Sequence, residues 1–187
     1  MREIVLIRHG QTEWSASGRH TSYTDLDLTV EGERQAAHLG DRLAGRAFAA
    51  VLSSPLKRAV RTAELAGLTV TATDDDLLEW NYGAYEGRTT VEIRQERPGW
   101  SVWREDCPGG ETSAQVGERA DRVLERVAVM LPSGDVALVG HAHMLRVLTA
   151  RWLGLPATGG ELFRLETGTL SVLGYERETQ VLLRWNG

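Results

Sequence analysis

Short apolar runs separated by helix-length amphipathic stretches most limit the folds open to this chain. Ile4 to Ile7, Ala49 to Leu52, Leu68 to Ala72 and Val136 to Val139 are of strand length, and the first and last are rich in β-branched residues. Helical patterns lie between them. Thr29 reads as the N-cap of a helix reaching about Ala44, with Ala36, Leu39, Leu43 and Ala44 as its apolar stripe. Ser54 followed by Pro55 signals a helix over 55–66, cap first and first-turn proline next. Val116, Ala120, Val123, Leu124, Val127 and Leu131 share one face of a helix over 115–131, and Met144 to Leu153 forms another. Gly10 to Leu28 is a polar loop, and 80–112 is irregular apart from a short helix near 90–97. LFRLE, LSVLGYE and VLLRW at the C-terminal end read as further strands, antiparallel to one another. Such alternation predicts an α/β three-layer sandwich around a mostly parallel sheet. The chain is expected to form one domain, 1–187, with a small lid-like insertion at about 88–112.

Composition narrows the function classes. The net charge of −5 offers no basic face for nucleic acid or a membrane surface, although a local cationic pocket remains open. The single cysteine, Cys107, cannot pair within the chain, which suits a reducing compartment. No stretch resembles a signal peptide or reaches transmembrane length, so a cytoplasmic location is expected.

Chargeable residues fall at a telling edge. In open α/β sheets, ligands sit outside the carboxyl ends of the strands. Arg8 and His9 end the first strand, Arg58 lies in the first turn of the helix after the second, and His141 follows Gly140 at the end of the fourth. Two arginines and two histidines there suit a dianion such as a phosphoryl group, because guanidinium forks match phosphate oxygens and stay charged. Free N–H groups at the helix start near Arg58 would add to the pocket. Neighbouring cations oppose protonation of a histidine and leave an imidazole nitrogen free to attack. Gly10 is expected to let the chain turn and approach the ligand closely. Glu79, after Leu77 and Leu78, is the candidate proton donor for the leaving oxygen, since burial and an incoming phosphate both favour its protonated form.

RHGQTEW, LTVEGERQA, SSPLKRAVRTA, LLEWNYGAYEG and VGHAHMLR, in that order over residues 4–147, resemble the histidine phosphatase superfamily, which includes cofactor-dependent phosphoglycerate mutases and many phosphatases. The resemblance implies that His9 is phosphorylated, that Arg8, Arg58 and His141 hold the phosphoryl oxygens, and that Glu79 protonates the leaving alkoxide and later helps activate water. It implies neither metal nor cofactor, and homodimers are its precedent. Ser15, Thr21, Ser22, Tyr82 and Ala142 occupy positions that would contact substrate. Serine stands at 15 where the family often has asparagine, and Ser22 where many members have glycine. The run WSASGRHTSYTDLDLT is closest to a branch containing sedoheptulose-bisphosphatase-like enzymes.

His141 and His143 alone make a weak metal pair, and His20 and His38 read as incidental. Mutases of this family are typically longer, with segments that close the site. The short 88–112 stretch leaves a more open pocket, which favours hydrolysis over phosphoryl return. A small phosphate monoester, with a sugar phosphate the leading case, is the expected substrate. Trp80, Tyr82, Tyr85, Trp100 and Trp103 either stack on it or pack the lid, and Arg19, Arg88 and Arg104 are candidates for a second anionic group.

Overall fold

In the computed structural model, which describes residues 2–187, six strands form one sheet in the order β3-β2-β4-β1-β5-β6. The strands are β1 (Ile4–Arg8), β2 (Phe48–Ser53), β3 (Ala72–Thr73), β4 (Asp135–Gly140), β5 (Leu170–Glu176) and β6 (Thr179–Arg184). The four on one side pair in parallel, and β5 and β6 add an antiparallel edge beside β1. Alternate residues of the central strands face opposite layers. Val5 and Ile7 of β1 pack with Leu39 and Leu43 of α2 (Val30–Leu43) and Ala59 and Ala63 of α3 (Lys57–Leu65). Ile4 and Leu6 pack on the other side, with α5 (Ser113–Met130) and α6 (Ala142–Trp152). A parallel sheet covered on both faces needs such continuous apolar strands. Two shorter helices, α1 (Glu13–Ser17) and α4 (Thr90–Glu96), complete the set, each opened by a reciprocal capping box, Thr12 with Ser15 and Thr89 with Glu92. No helix among the described residues is long and apolar enough to cross a membrane.

Three expectations need correction. α3 starts at Lys57, with Leu56 in the cap position, because the Ser54 hydroxyl is bound to His141. The third strand shrinks to Ala72–Thr73, since the Thr71 hydroxyl, not a backbone carbonyl, accepts the Val51 N–H. LFRLE forms no strand: a 3₁₀ turn over Ala157–Leu162 runs into a loop that bends toward Arg8. The 88–112 segment, expected as a small lid-like insertion, carries α4 and contributes Trp100, Val102, Trp103 and Cys107 to the buried core.

Candidate active site

Register brings the charged strand ends together. β1 and β4 are neighbours, with Arg8 opposite Gly140, and the His9 N–H donates to the Gly140 carbonyl at 3.0 Å. His141 therefore emerges beside His9. On the other flank of β4, the Ser54 N–H donates to Val139 at 2.9 Å, which places α3 and Arg58 against the same edge. Gly10 serves a different purpose from the one expected. A Cβ there would overlap the Gly32 carbonyl, and one at Gly32 would overlap the Gln11 carbonyl, so the pair lets the end of β1 lie directly on the first turn of α2.

His9 is buried, and its Nδ1 lies 2.7 Å from the Gly10 carbonyl. A carbonyl only accepts, so Nδ1 carries the proton and Nε2 keeps its lone pair toward the cavity that His9 lines. Burial, then Arg58, then Arg8 hold this imidazole well below its ordinary range, against the opposing pull of the Gly10 carbonyl. Burial, Arg58 and His9 do the same to His141. Arg58 donates through Nε to His141 Nδ1 at 3.2 Å, which leaves the His141 proton on Nε2, 2.8 Å from the Ser54 hydroxyl oxygen. The remaining Arg58 donors reach the carbonyls of Thr24, Ser22 and Thr21 at 3.0, 3.0 and 3.5 Å. At the α3 N-terminus Asp25 accepts the Lys57 N–H at 2.9 Å, so that one of the expected free N–H groups is already taken. Arg8 donates to the Leu165 carbonyl, while its buried Nε has no partner. An unpaired buried guanidinium donor is costly, and an anion in the cavity would relieve that cost.

Glu79 is buried, and its carboxylate accepts three backbone N–H groups: Trp80 at 2.9 Å, His143 at 3.0 Å and Met144 at 2.8 Å. The last two belong to the first turn of α6, so the helix start that opens toward this site grips the acid. Behind it, Arg119 pairs with Glu111 at 2.7 Å and donates to the Asp76 and Leu78 carbonyls, both at 2.8 Å, fixing the chain that carries Glu79.

Arg8, His9, Glu79, Ser15, Thr21, Tyr82 and Ala142 line one cavity of about 220 Å³. Ser15 reaches it, but its hydroxyl is engaged in the α1 cap, accepting from the Thr12 N–H and donating to the Thr12 carbonyl. Ser22 does not line it. Its carbonyl accepts from Arg58, its N–H donates to Glu86, and its buried hydroxyl has no partner. Of the arginines considered for a second anion, Arg19 lies at the cavity, whereas Arg88 pairs with Glu96 at 2.7 Å and Arg104 with Glu161 at 2.8 Å outside it.

Six cavity residues went unassigned from sequence, Gly18, Leu165 and four with ionisable side chains: His20, His143, Arg146 and Arg164. His20, read as incidental, packs against Tyr82 with ring centroids 4.7 Å apart and the rings inclined at 46°. The Tyr82 hydroxyl lies 2.6 Å from His143 Nδ1. The signal for His143 and Arg146 was present in VGHAHMLR, where they stand three apart on the helix that follows His141 and so share a face. Arg164 follows no regular element and left no such signal. Among the described residues, no three of His, Cys, Asp and Glu gather closely enough to hold a metal ion.

Comparison with known proteins agrees with this geometry. The family described as histidine phosphatase superfamily (branch 1) matches residues 4–187. An acid phosphatase of Mycobacterium tuberculosis is 41% identical over 181 residues, 96% of this chain and 89% of its own length. Sedoheptulose 1,7-bisphosphatase of Saccharomyces cerevisiae is 36% identical, covering 81% of this chain and 67% of its own. The solved structure of an open reading frame product from M. tuberculosis superposes with a TM-score of 0.96 at 40% identity, covering 99% of this chain and 97% of that one. An alpha-ribazole phosphatase from Shigella flexneri gives 0.86 at 28% identity, covering 99% and 96%. A probable phosphoglycerate mutase of Salmonella choleraesuis is 31% identical, yet the phosphatase names among the relatives favour hydrolysis over mutase chemistry. A match from the first residue of β1 to the end of the chain, with relatives this similar over most of their length, leaves one conclusion: the chain belongs to branch 1 of the histidine phosphatase superfamily.

Proposed function

We propose that this chain hydrolyses a small phosphate monoester without a metal, through a phosphohistidine on His9. The carrying observation is the free His9 Nε2 lone pair at a cavity that His9 lines together with Arg8; Arg58 and His141 do not line that cavity, but Arg58 lies close enough to oppose protonation of His9. Nε2 attacks phosphorus to form the N–P bond while the P–O bond to the leaving alkoxide breaks, and Glu79 gives that oxygen its proton. Water then attacks phosphorus, Glu79 takes the water's proton, and the N–P bond breaks to return phosphate and neutral His9. Arg8, whose buried Nε has no partner, stabilises the charge on the non-bridging oxygens, and Arg58 and the His141 Nε2–H join it on exchanging their Ser22, Thr24 and Ser54 partners for phosphate.

The cavity is small, and Arg19, Arg146 and Arg164 stand around it beside His20, Tyr82 and His143. These groups suit a phosphorylated sugar or polyol bearing a second anionic group, the class named in the yeast bisphosphatase. The same reading makes the partner a small molecule, not a nucleic acid or membrane, in a cytoplasmic enzyme that follows the family precedent of homodimers. Phosphate release from a panel of sugar phosphates, sugar bisphosphates and phosphoglycerates, with EDTA present, tests it. Metal-independent release with a preferred ester is expected. Interconversion of 2- and 3-phosphoglycerate without release would make the chain a mutase instead.

A further inference from the structure

We infer that Glu86 is a positioning residue for Arg58, acting through the loop 21–24; the inference rests on the phosphoryl-binding role given to Arg58. Arg58 is almost wholly buried, and the carbonyls that orient its guanidinium all come from Thr21, Ser22 and Thr24. That loop belongs to no helix or strand, so something else must hold its carbonyls in place. Both Glu86 carboxylate oxygens accept the Ser22 N–H, at 2.8 and 2.9 Å, and one also accepts the Thr24 N–H at 3.1 Å. The residues that present carbonyls to the cation therefore present N–H groups to the anion. The Thr21–Ser22 peptide unit joins the two directly, with its carbonyl accepting from Arg58 and its N–H donating to Glu86, so its dipole strengthens both bonds. Glu86 is itself anchored after the 3₁₀ turn Gly83–Tyr85, where Gly87 donates to the His20 carbonyl at 2.8 Å and His20 to the Arg88 carbonyl at 2.9 Å.

A general brace of the fold and a device for Arg58 differ in their coupling. A double-mutant cycle over Glu86→Gln and Arg58→Ala separates them, read by inorganic phosphate binding in a calorimeter and by kcat/KM on p-nitrophenyl phosphate. Glu86→Gln is expected to weaken phosphate binding and lower kcat/KM about 10- to 100-fold, from loss of charge-assisted bonds at a site that senses geometry. In the Arg58→Ala background the same change should cost less than about 2-fold. Equal losses in both backgrounds, or wild-type phosphate affinity in Glu86→Gln, would overturn the assignment. Should Glu86→Gln fail to fold, Glu86→Asp, whose shorter carboxylate cannot span both N–H groups, enters the same cycle with the same outcomes expected. A wild-type chain that binds phosphate with this coupling but hydrolyses nothing would refute the hydrolase reading and leave the role of Glu86 supported.

Discussion

The rings of His9 and His141 lie 5.1 Å apart at the carboxyl end of the sheet, inclined at 59°. Both are kept neutral, yet their protons sit on opposite nitrogens. The Gly10 carbonyl fixes the His9 proton on Nδ1, and the Arg58 Nε–H fixes that of His141 on Nε2. One ring thus keeps a lone pair and its neighbour an N–H, the latter held by the Ser54 hydroxyl at 2.8 Å, and the proposed reaction uses the first for attack on phosphorus and the second for its oxygens.

His9→Ala is therefore expected to remove turnover, by about 10⁴-fold or more, because the proposed N–P bond forms on this ring. Its melting temperature should stay close to wild type, since the ring makes a single hydrogen bond, to its own neighbour. Residual activity within tenfold of wild type, measured on p-nitrophenyl phosphate, would remove His9 from the nucleophilic role.

Glu79 reports on the leaving group. Glu79→Gln should lower kcat/KM for alkyl phosphates by about 10² to 10⁴-fold, the usual worth of a general acid. The nitrophenolate ester should suffer far less in the first step, because that leaving group hardly needs a proton. Equal losses on both esters would show that the three N–H bonds to Glu79 matter for structure alone.

The central strands and the meeting of His9 with His141 were legible for a simple reason: β1 and β4 are apolar runs that stop abruptly at Arg8-His9 and Gly140-His141. A strand end is a local property, and so is the Thr29 cap of α2. Ser54 misled because the same hydroxyl that caps helices elsewhere is drawn to His141, 87 residues away. LFRLE misled for a related reason. Its alternation suits a strand, but the Leu165 carbonyl is used by Arg8, and the neighbouring Thr169 carbonyl already takes the Arg8 N–H at 3.2 Å. Glu86 and Arg119 left no mark in the sequence at all, because their roles exist only once distant loops meet.

Acid should destabilise the folded chain through its histidines. Burial pushes His20 down to about 4, and His9, His141 and His143 are also held well below the ordinary 6.5. Below 6.5 the unfolded chain takes up protons that the folded chain refuses, so stability is fully present above that pH and is lost as pH falls. For His20 the loss ends near pH 4 and amounts to at most about 3 kcal/mol. Scanning calorimetry from pH 7 to 4 should show His20→Gln losing less of its melting temperature than wild type. Parallel curves would mean that the folded chain accepts a charged His20 at no cost.

Arg146 carries the clearest prediction about substrate. Its Nε and Nη2 donate to the Gly160 and Glu161 carbonyls at 3.0 and 3.2 Å, and its guanidinium lies 4.5 Å over the Trp103 ring. A planar cation held on two carbonyls and an indole can meet a second anionic group without reorganising, whereas an ammonium could not keep the same three contacts. Arg146→Ala should therefore raise KM for a sugar bisphosphate about tenfold or more while changing p-nitrophenyl phosphate, which has no second anion, by less than about 2-fold. Arg146→Lys should recover little of the difference. Equal losses on both substrates would place Arg146 with the groups that hold the reacting phosphate, and the second anion would then have to be met by Arg19 or Arg164 at the same cavity.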